Sequence, residues 1–572
     1  MDNSNQGGLT AITRTRQGNR RALAVYAGFA LAVSGVLGVC YALGIDTFAA
    51  PSRALRLVQL GLVTTLSLAF LIYASRRPWP DLALARLLRR PASWLGLCCT
   101  ALALIGAATM AILVLQAVPL SGDEGAYVFQ ADLFAHSQLW TLPSPVQQYV
   151  SQAYIFPYSG KLISQYPPGW PVVLSLAELA GFPLVLVNPV IGALTVAALY
   201  RFAFAQYGRE VALLAALATT ASAFFLFNSG SFFNGSIVAL LGVLFVHSAA
   251  SFISRPDVRS AMGLGFWFSG IAVVRHYDAV LFTLPVAVAV LWQSTGRHWR
   301  FIPLAMLTAA PLIGLLLLYY WQLTGNPLLL PQQLQNPNDA LLGPNWRALR
   351  ATEILIGRLV ELAEWVSPPF LVALAWTLSQ KFRGRALRFF DLYGLVFLVG
   401  YWLFWADGTL RYGPRYIYPS FPFMVLLVVE RAWHAMQTAG GLRRAALAHL
   451  AVISMVVSAL MVPFLAARGR EMITQTQDLY YQVRDIGLHN AVIIAVTGAG
   501  RIWKIDPADL ARNGLILDGD VIYAHGPRLF MGKITPEELQ ETIEALRAHF
   551  PAREIWIYRK DENALQGKLK RI

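Results

Sequence analysis

Apolar residues in this chain fall in long blocks separated by short polar breaks. The blocks lie at 22–44, 57–75, 92–118, 184–204, 211–227, 235–253, 260–275, 279–293, 301–320, 354–379, 389–406, 417–437 and 445–466. A membrane-spanning helix needs about 20 largely apolar residues, so the length criterion predicts about thirteen crossings. One further stretch, 168–181, is shorter and flanked by prolines, and is predicted to be a re-entrant or tilted helix that does not cross fully. Beyond 466 the pattern changes. Segments 490–497, 520–525 and 554–559 are rich in Val, Ile and Tyr and are predicted as strands. Between the last two, Thr535, Pro536 and Glu538 form a capping pattern. Leu539, Ile543, Leu546 and Phe550 then mark one face of a helix. The expected architecture is an α-helical polytopic membrane protein: a tail at 1–21, a helical domain at 22–466 with a large outer loop at 119–183, and a small α/β domain at 467–572.

Composition agrees with the blocks. The chain has 572 residues, 56% hydrophobic and only 13% charged, against about 25% charged in soluble domains. The net charge of +15 would suit a nucleic-acid binder, but the arginines sit in short loops between apolar runs, where the positive-inside rule puts them. No nucleic-acid partner is implied. Arg76, Arg77, Arg86, Arg89, Arg90, Arg209, Arg255, Arg259, Arg297, Arg300, Lys381, Arg383, Arg385, Arg388, Arg443 and Arg444 occupy one set of loops. Taking that set as cytoplasmic gives an inside N-terminus and an outside C-terminal domain. In a bacterial cell this is an inner-membrane protein with a periplasmic domain. Cys40, Cys98 and Cys99 all lie within apolar runs, so neither a disulfide framework nor a thiolate metal site is expected.

The unusual polar residues gather in the loops of the opposite face. Ser121-Gly122-Asp123-Glu124-Gly125-Ala126-Tyr127 follows the third block directly. Partial desolvation at a membrane boundary strengthens a carboxylate as a base, and an acidic pair there can take a proton from an incoming hydroxyl. Ser121 and Glu124 also match a capping box, so Glu124 serves either purpose, and Asp123 is the better functional candidate. Gln165-Tyr166-Pro167-Pro168-Gly169-Trp170 is a rigid entrance to 168–181, with aromatic residues that equally suit an interfacial belt. Val274-Arg275-His276-Tyr277-Asp278 places an arginine at a boundary, where it must be paired by Asp278, snorkel, or bind something. Arg411-Tyr412-Gly413-Pro414-Arg415-Tyr416-Ile417-Tyr418-Pro419 opens a helix with Arg415, whose guanidinium suits bidentate phosphate binding.

These motifs, with Tyr319-Tyr320-Trp321 and Thr324-Gly325-Asn326-Pro327 between them, come in an order that resembles the C-type membrane glycosyltransferases. That superfamily includes protein O-mannosyltransferases and aminoarabinose transferases. The likeness covers most of 115–440 and rests on order, spacing and shared sidedness. It implies an inverting transfer of a sugar from a polyprenyl-phosphate donor to an acceptor hydroxyl on a glycan, lipid or protein. Asp123, with Glu124 beside it, would supply the catalytic carboxylate. Arg275 and Arg415 would hold the donor phosphate, and Tyr127, Tyr166, His276 and Tyr416 would line the donor or acceptor pocket. The lysine that precedes Pro-Pro in aminoarabinose transferases is absent here, so lipid A is not implied as acceptor. No Glu/His metal pair stands out. No obligatory metal or other cofactor is predicted, although a divalent cation is compatible with the chemistry.

A polytopic lipid or glycan transporter or flippase is the rival class. Transporters set polar groups at the bilayer midplane on broken helices, often in repeated halves, whereas these block interiors are nearly free of charge and no repeat is evident. No HExxH, GxGxxG, Walker or CxxC pattern is present, which excludes the zinc peptidase, nucleotide-dependent and dithiol redox classes that carry them.

Overall fold

The computed structural model describes residues 89–293, 296–335, 346–384, 386–404, 412–438, 461–497 (apart from 464, 468, 471 and 472), 507–527, 534–560 and 566–572. The predicted tail, the blocks at 22–44 and 57–75, and most of 445–466 lie outside the described residues. Within them, helix α1 (Ala92–Thr109) runs into a π-turn at Met110–Val114. Gln116 and Ala117 then take positive φ, and the chain turns into α2 (Gly122–Ala135). Such π-turns interrupt the regular ladder and let a helix end bend sharply.

A hairpin follows, β1 (Ile155–Tyr158) and β2 (Lys161–Ser164), paired antiparallel. Ser159 and Gly160 make its two-residue turn with φ of 50° and 76°, the geometry that matches strand twist. The stretch predicted to be re-entrant is α3 (Gly169–Leu179), 11 residues long. At 1.5 Å per residue that is about 16 Å, too short to cross a 30 Å core.

The bundle continues with α4 (Val187–Tyr207), α5 (Arg209–Thr220), α6 (Ala223–Gly230), α7 (Gly235–Ser254), α8 (Val258–Val274), α9 (His276–Gln293) and α10 (Gly296–Thr324). Among the described residues four helical segments, Ala92–Val114, Leu184–Tyr207, Gly235–Ser254 and Gly296–Thr324, are long and apolar enough to cross a membrane. A fifth candidate is the pair α5 and α6, bent by 64°. Shorter apolar helices include α3, α8 and α9. Ile105 and Leu113 on the first segment, and Leu307 and Leu315 on the last, are exposed and would meet lipid.

Two blocks differ from the sequence expectation. The run 211–227 is broken at Ala221-Ser222. The run 354–379 is not one helix but two, α11 (Ala348–Trp365) and α12 (Pro368–Arg383). The cause is Ser367-Pro368: proline excludes helical geometry at the residue before it, and Ser367 has φ of 178° and accepts the Phe370 N–H at 3.3 Å. Helices α13 (Tyr393–Leu403) and α14 (Phe421–Thr438) follow, and Met461, Leu465 and Ile473 join the same core. Its centre is aromatic: Phe202, Phe224, Phe225, Phe282, Tyr393 and Tyr418 are fully buried.

The C-terminal part holds a four-stranded sheet in the order β4-β3-β5-β6. Strand β3 (Ala491–Thr497) lies parallel to both β4 (Val521–His525) and β5 (Glu554–Lys560), and β6 (Lys568–Arg571) pairs antiparallel with β5. Between β4 and β5, α15 (Pro536–His549) starts with the capping box on Thr535 and Glu538, and buries Ile543 and Leu546 against the sheet. The sequence pattern did not mark β6. Its Lys568-Leu569-Lys570-Arg571 is the charged, protected composition of an edge strand.

Candidate active site

Asp123 and Glu124 leave the same first turn of α2 in different directions. Ser121 caps the helix by accepting the Glu124 N–H at 3.2 Å. The Glu124 carboxylate is fully buried and accepts from the Leu120 N–H (2.9 Å), the Ser121 hydroxyl (3.1 Å) and the Phe232 N–H (2.9 Å). It therefore ties the start of α2 to the turn after α6. Asp123 instead stays 15% accessible. Its Oδ1 accepts the Tyr166 hydroxyl, and its Oδ2 meets Arg415 Nη1 at 3.2 Å. A half-buried tyrosine and an arginine thus hold the one carboxylate of the pair that solvent still reaches.

Tyr166 is fixed by its surroundings. Its ring lies 4.6 Å from that of Tyr127 and 5.7 Å from that of Tyr154, and its carbonyl accepts from the buried Gln130 amide at 3.2 Å. Burial, then the Asp123 charge, hold the Tyr166 phenol well above its ordinary range; for Tyr154 the Asp123 charge acts first. Both phenols therefore stay protonated, and Tyr166 acts as a donor towards Asp123.

The Pro-Pro motif explains how the loop is seated. Gly169 opens α3 directly after Pro168, and a Cβ there would fall 2.7 Å from the Val273 carbonyl oxygen. Trp170, buried, donates its indole N–H to the Phe232 carbonyl at 2.8 Å. Only a glycine lets the loop approach the end of α8 this closely, and α8 ends immediately before Arg275.

Arg275 carries its own counter-ion. Nη1 pairs with the buried Asp278 at 3.0 Å, and Nη2 donates to the Tyr401 hydroxyl at 3.0 Å. Tyr401 in turn donates to Asp278, and its ring stacks on that of Tyr416 at 4.9 Å with an interplanar angle of 5°. The Tyr416 ring is a common neighbour of three guanidinium groups: Arg275 at 5.2 Å, Arg415 at 5.4 Å and Arg358 at 6.0 Å from its centroid. Aromatic faces and charge networks of this kind make several buried cations tolerable in one place.

The Gly-Pro-Arg motif is shaped by Gly413, whose φ is +76° and where a Cβ would sit 2.8 Å from Trp365 Cγ. Arg415 then lies over Phe233, with its guanidinium carbon 4.2 Å from the ring centroid. Its Nε is buried without a hydrogen-bond partner among the described residues. Arg411 lies outside them.

The structure thus brings together Asp123, Tyr127, Tyr166, Arg275, Arg415 and Tyr416, drawn from four segments far apart in sequence. Glu124 lies beneath them and His276 to one side. The His276 ring stacks at 5.7 Å on Tyr320 and exchanges a 2.8 Å hydrogen bond between Nε2 and its hydroxyl. Among the described residues, no group of three or more His, Cys, Asp or Glu side chains converges as a metal site.

No family model and no curated protein matches this chain. Solved structures do. ArnT from Cupriavidus metallidurans in the apo state is 13% identical with a TM-score of 0.49, covering 82% of this chain and 93% of that one. An Archaeoglobus fulgidus oligosaccharyltransferase complex with zinc and sulfate is 11% identical with a TM-score of 0.48, covering 81% and 67%. The arabinofuranosyltransferase AftD from Mycobacteria is 17% identical with a TM-score of 0.43, covering 83% of this chain and 35% of that one.

Three participants were not singled out from the sequence. Arg358 is buried in α11 and donates to the Tyr401 carbonyl. An arginine inside an otherwise apolar run was its available signal. Tyr401 lies in an apolar block, where a tyrosine is unremarkable. The turn 231–234 binds Glu124, Trp170 and Arg415 through Phe232 and Phe233. It does so largely with backbone groups, which carry no sequence signature.

Proposed function

We propose that this protein is an inverting glycosyltransferase. It moves a sugar from a polyprenyl-phosphate donor to a hydroxyl of an envelope acceptor, on the periplasmic face of a bacterial inner membrane. The observation that carries the reading is Asp123, still accessible, held between the Tyr166 phenol and Arg415 at 3.2 Å. This puts a base and a phosphate-binding cation within one hydrogen bond of each other.

In the reaction the acceptor oxygen attacks the anomeric carbon as the bond from that carbon to the phosphate oxygen breaks. Asp123 takes the acceptor proton, and polyprenyl phosphate leaves with the bonding electron pair. Arg415 is the principal phosphate ligand, since among the described residues its Nε has no hydrogen-bond partner and its ion pair is with the base itself. As the leaving group gains charge, Arg415 shifts its interaction from Asp123 to phosphate, which frees the carboxylate to accept the proton. Arg275, paired with Asp278, and Arg358 add guanidinium groups around Tyr416. Tyr127 and Tyr166 wall the pocket on the side of α2.

Mass spectrometry of envelope glycolipids, glycans and glycoproteins from cells with and without the protein tests the reading. One sugar residue is expected to disappear from one envelope component when the protein is removed. An unchanged glycan profile under all growth conditions would refute it.

A further inference from the structure

Away from Asp123, a cavity of about 400 Å³ lies between the outer loop and the C-terminal sheet unit. That is within the usual range for small-molecule sites, roughly 300–1,000 Å³. Two connections lead from it to the base. Gln152 lines the cavity and crosses α2 at Gly125, where a Cβ would lie 2.2 Å from its Nε2. Ala511 lines it too, just past Asp509, whose Oδ1 would lie 2.5 Å from a Cβ on Gly122. Gly122 and Gly125 flank the acidic pair.

The lining has a definite chemistry. Phe129 and Phe550 offer phenyl rings, and Gln147 and Gln152 offer amides. Among the described residues no lysine or arginine lines it, and Asp518 and His549, both exposed, are the titratable groups of that lining. Gln152 is only 9% exposed, yet its side-chain amide makes no hydrogen bond to another described residue. A buried amide facing a cavity without a partner is unfavourable unless a ligand or water completes it.

We infer that this cavity binds the acceptor, and that the acceptor is a neutral saccharide. A sugar ring presents an apolar C–H face, which suits phenyl rings, and edge hydroxyls that both donate and accept, which suits carboxamides. A phosphorylated or uronic-acid acceptor would find no cation among the described lining residues. The inference rests on the transferase reading for the direction of transfer, and on the cavity alone for the ligand class.

The test uses the full-length protein in lipid nanodiscs and saturation-transfer NMR. The probes are mannobiose and cellobiose, a uronic-acid disaccharide, a phosphorylated mannose, and a blocked serine peptide. A neutral disaccharide is expected to bind and the others not. Gln152→Ala should weaken that binding about tenfold, the loss of one or two amide hydrogen bonds. Ile516→Trp, at an exposed position on the cavity, should block it without disturbing the fold. Preferred binding of an acidic sugar or the peptide would overturn the inference, as would neutral-sugar binding unchanged in both variants. Release of polyprenyl phosphate from lipid-linked sugars is followed in parallel. Disaccharide binding without any release would refute the transferase reading and leave the pocket assignment standing. Release with disaccharide binding indifferent to both substitutions would do the reverse.

Discussion

Replacing Asp123 by asparagine removes one charge and almost no volume. Tyr166 keeps an oxygen to donate to, so its ring stays against Tyr127 and Tyr154. Arg415 loses its carboxylate at 3.2 Å, with both side chains 15% exposed. Breaking a fully buried pair costs about 3–5 kcal/mol and an exposed one about 0–1 kcal/mol. At this degree of burial, with Phe233 still beneath the guanidinium, a loss of about 1–2 kcal/mol follows, too little to unfold the protein. The catalytic effect is much larger. A positioned base contributes roughly 10²–10⁴-fold, or about 3–5 kcal/mol of barrier. The assay is transfer of a radiolabelled sugar from a synthetic polyprenyl-phosphate donor, with donor binding measured separately on the same preparation. Donor affinity should be unchanged or higher, because Arg415 no longer shares its charge, while transfer falls by at least 10²-fold. Transfer within about tenfold of the parent, at normal expression, would refute the assignment of Asp123 as base.

Other expectations separate structure from chemistry. Glu124→Gln turns one acceptor into a donor where three donors converge; it should lower stability by about 1–3 kcal/mol in denaturant melts, and an unchanged melt would contradict the anchoring role. Gly413→Ala must adopt a φ of +76° and displace the Trp365 ring; it should cost about 2–5 kcal/mol and weaken donor binding through Arg415. Arg358→Met should raise the half-saturating donor concentration about tenfold with little change in kcat, and Arg358→Lys should recover part of the loss. In the C-terminal sheet, burial lowers the Lys560 ammonium below its ordinary value, so the unfolded chain binds more protons and stability rises with pH up to about 10. Burial and Asp478 raise the Tyr558 phenol, so the sign reverses once unfolded tyrosine begins to ionise. Hydrogen exchange of β3 and β5 between pH 8 and pH 11 would show the maximum (window from ordinary Lys and Tyr values, roughly 10), and Lys560→Met should flatten its rising limb.

How much of this was legible depended on where each group sits. Asp123, Arg275 and Arg415 stand at the ends of apolar runs, where hydropathy and sidedness expose them. The capping residues of α15 were equally plain, because Thr535, Pro536 and Glu538 act through local geometry. Arg358 was absorbed into an apolar run, and Tyr401 looks like any aromatic residue of such a run. The break at Ser367-Pro368 was visible in principle, since proline restricts its predecessor, but apolar residues continue on both sides of it. The separate duties of Asp123 and Glu124 could not be read at all from adjacent letters. They follow from the turn at Phe232, which reaches Glu124 from more than a hundred residues away.

The seating of Gly169 on the Val273 carbonyl bears on how such a protein can diversify. The segment between Asp123 and Gly169 is pinned at one end by Glu124 and at the other by that glycine, each to the helical bundle rather than to the other. Its interior, including the β1–β2 hairpin and Gln152, can therefore be exchanged between relatives much as a cartridge is exchanged in a holder. New acceptors would be acquired by rewriting that interior, while the register of base and donor arginines is inherited unchanged.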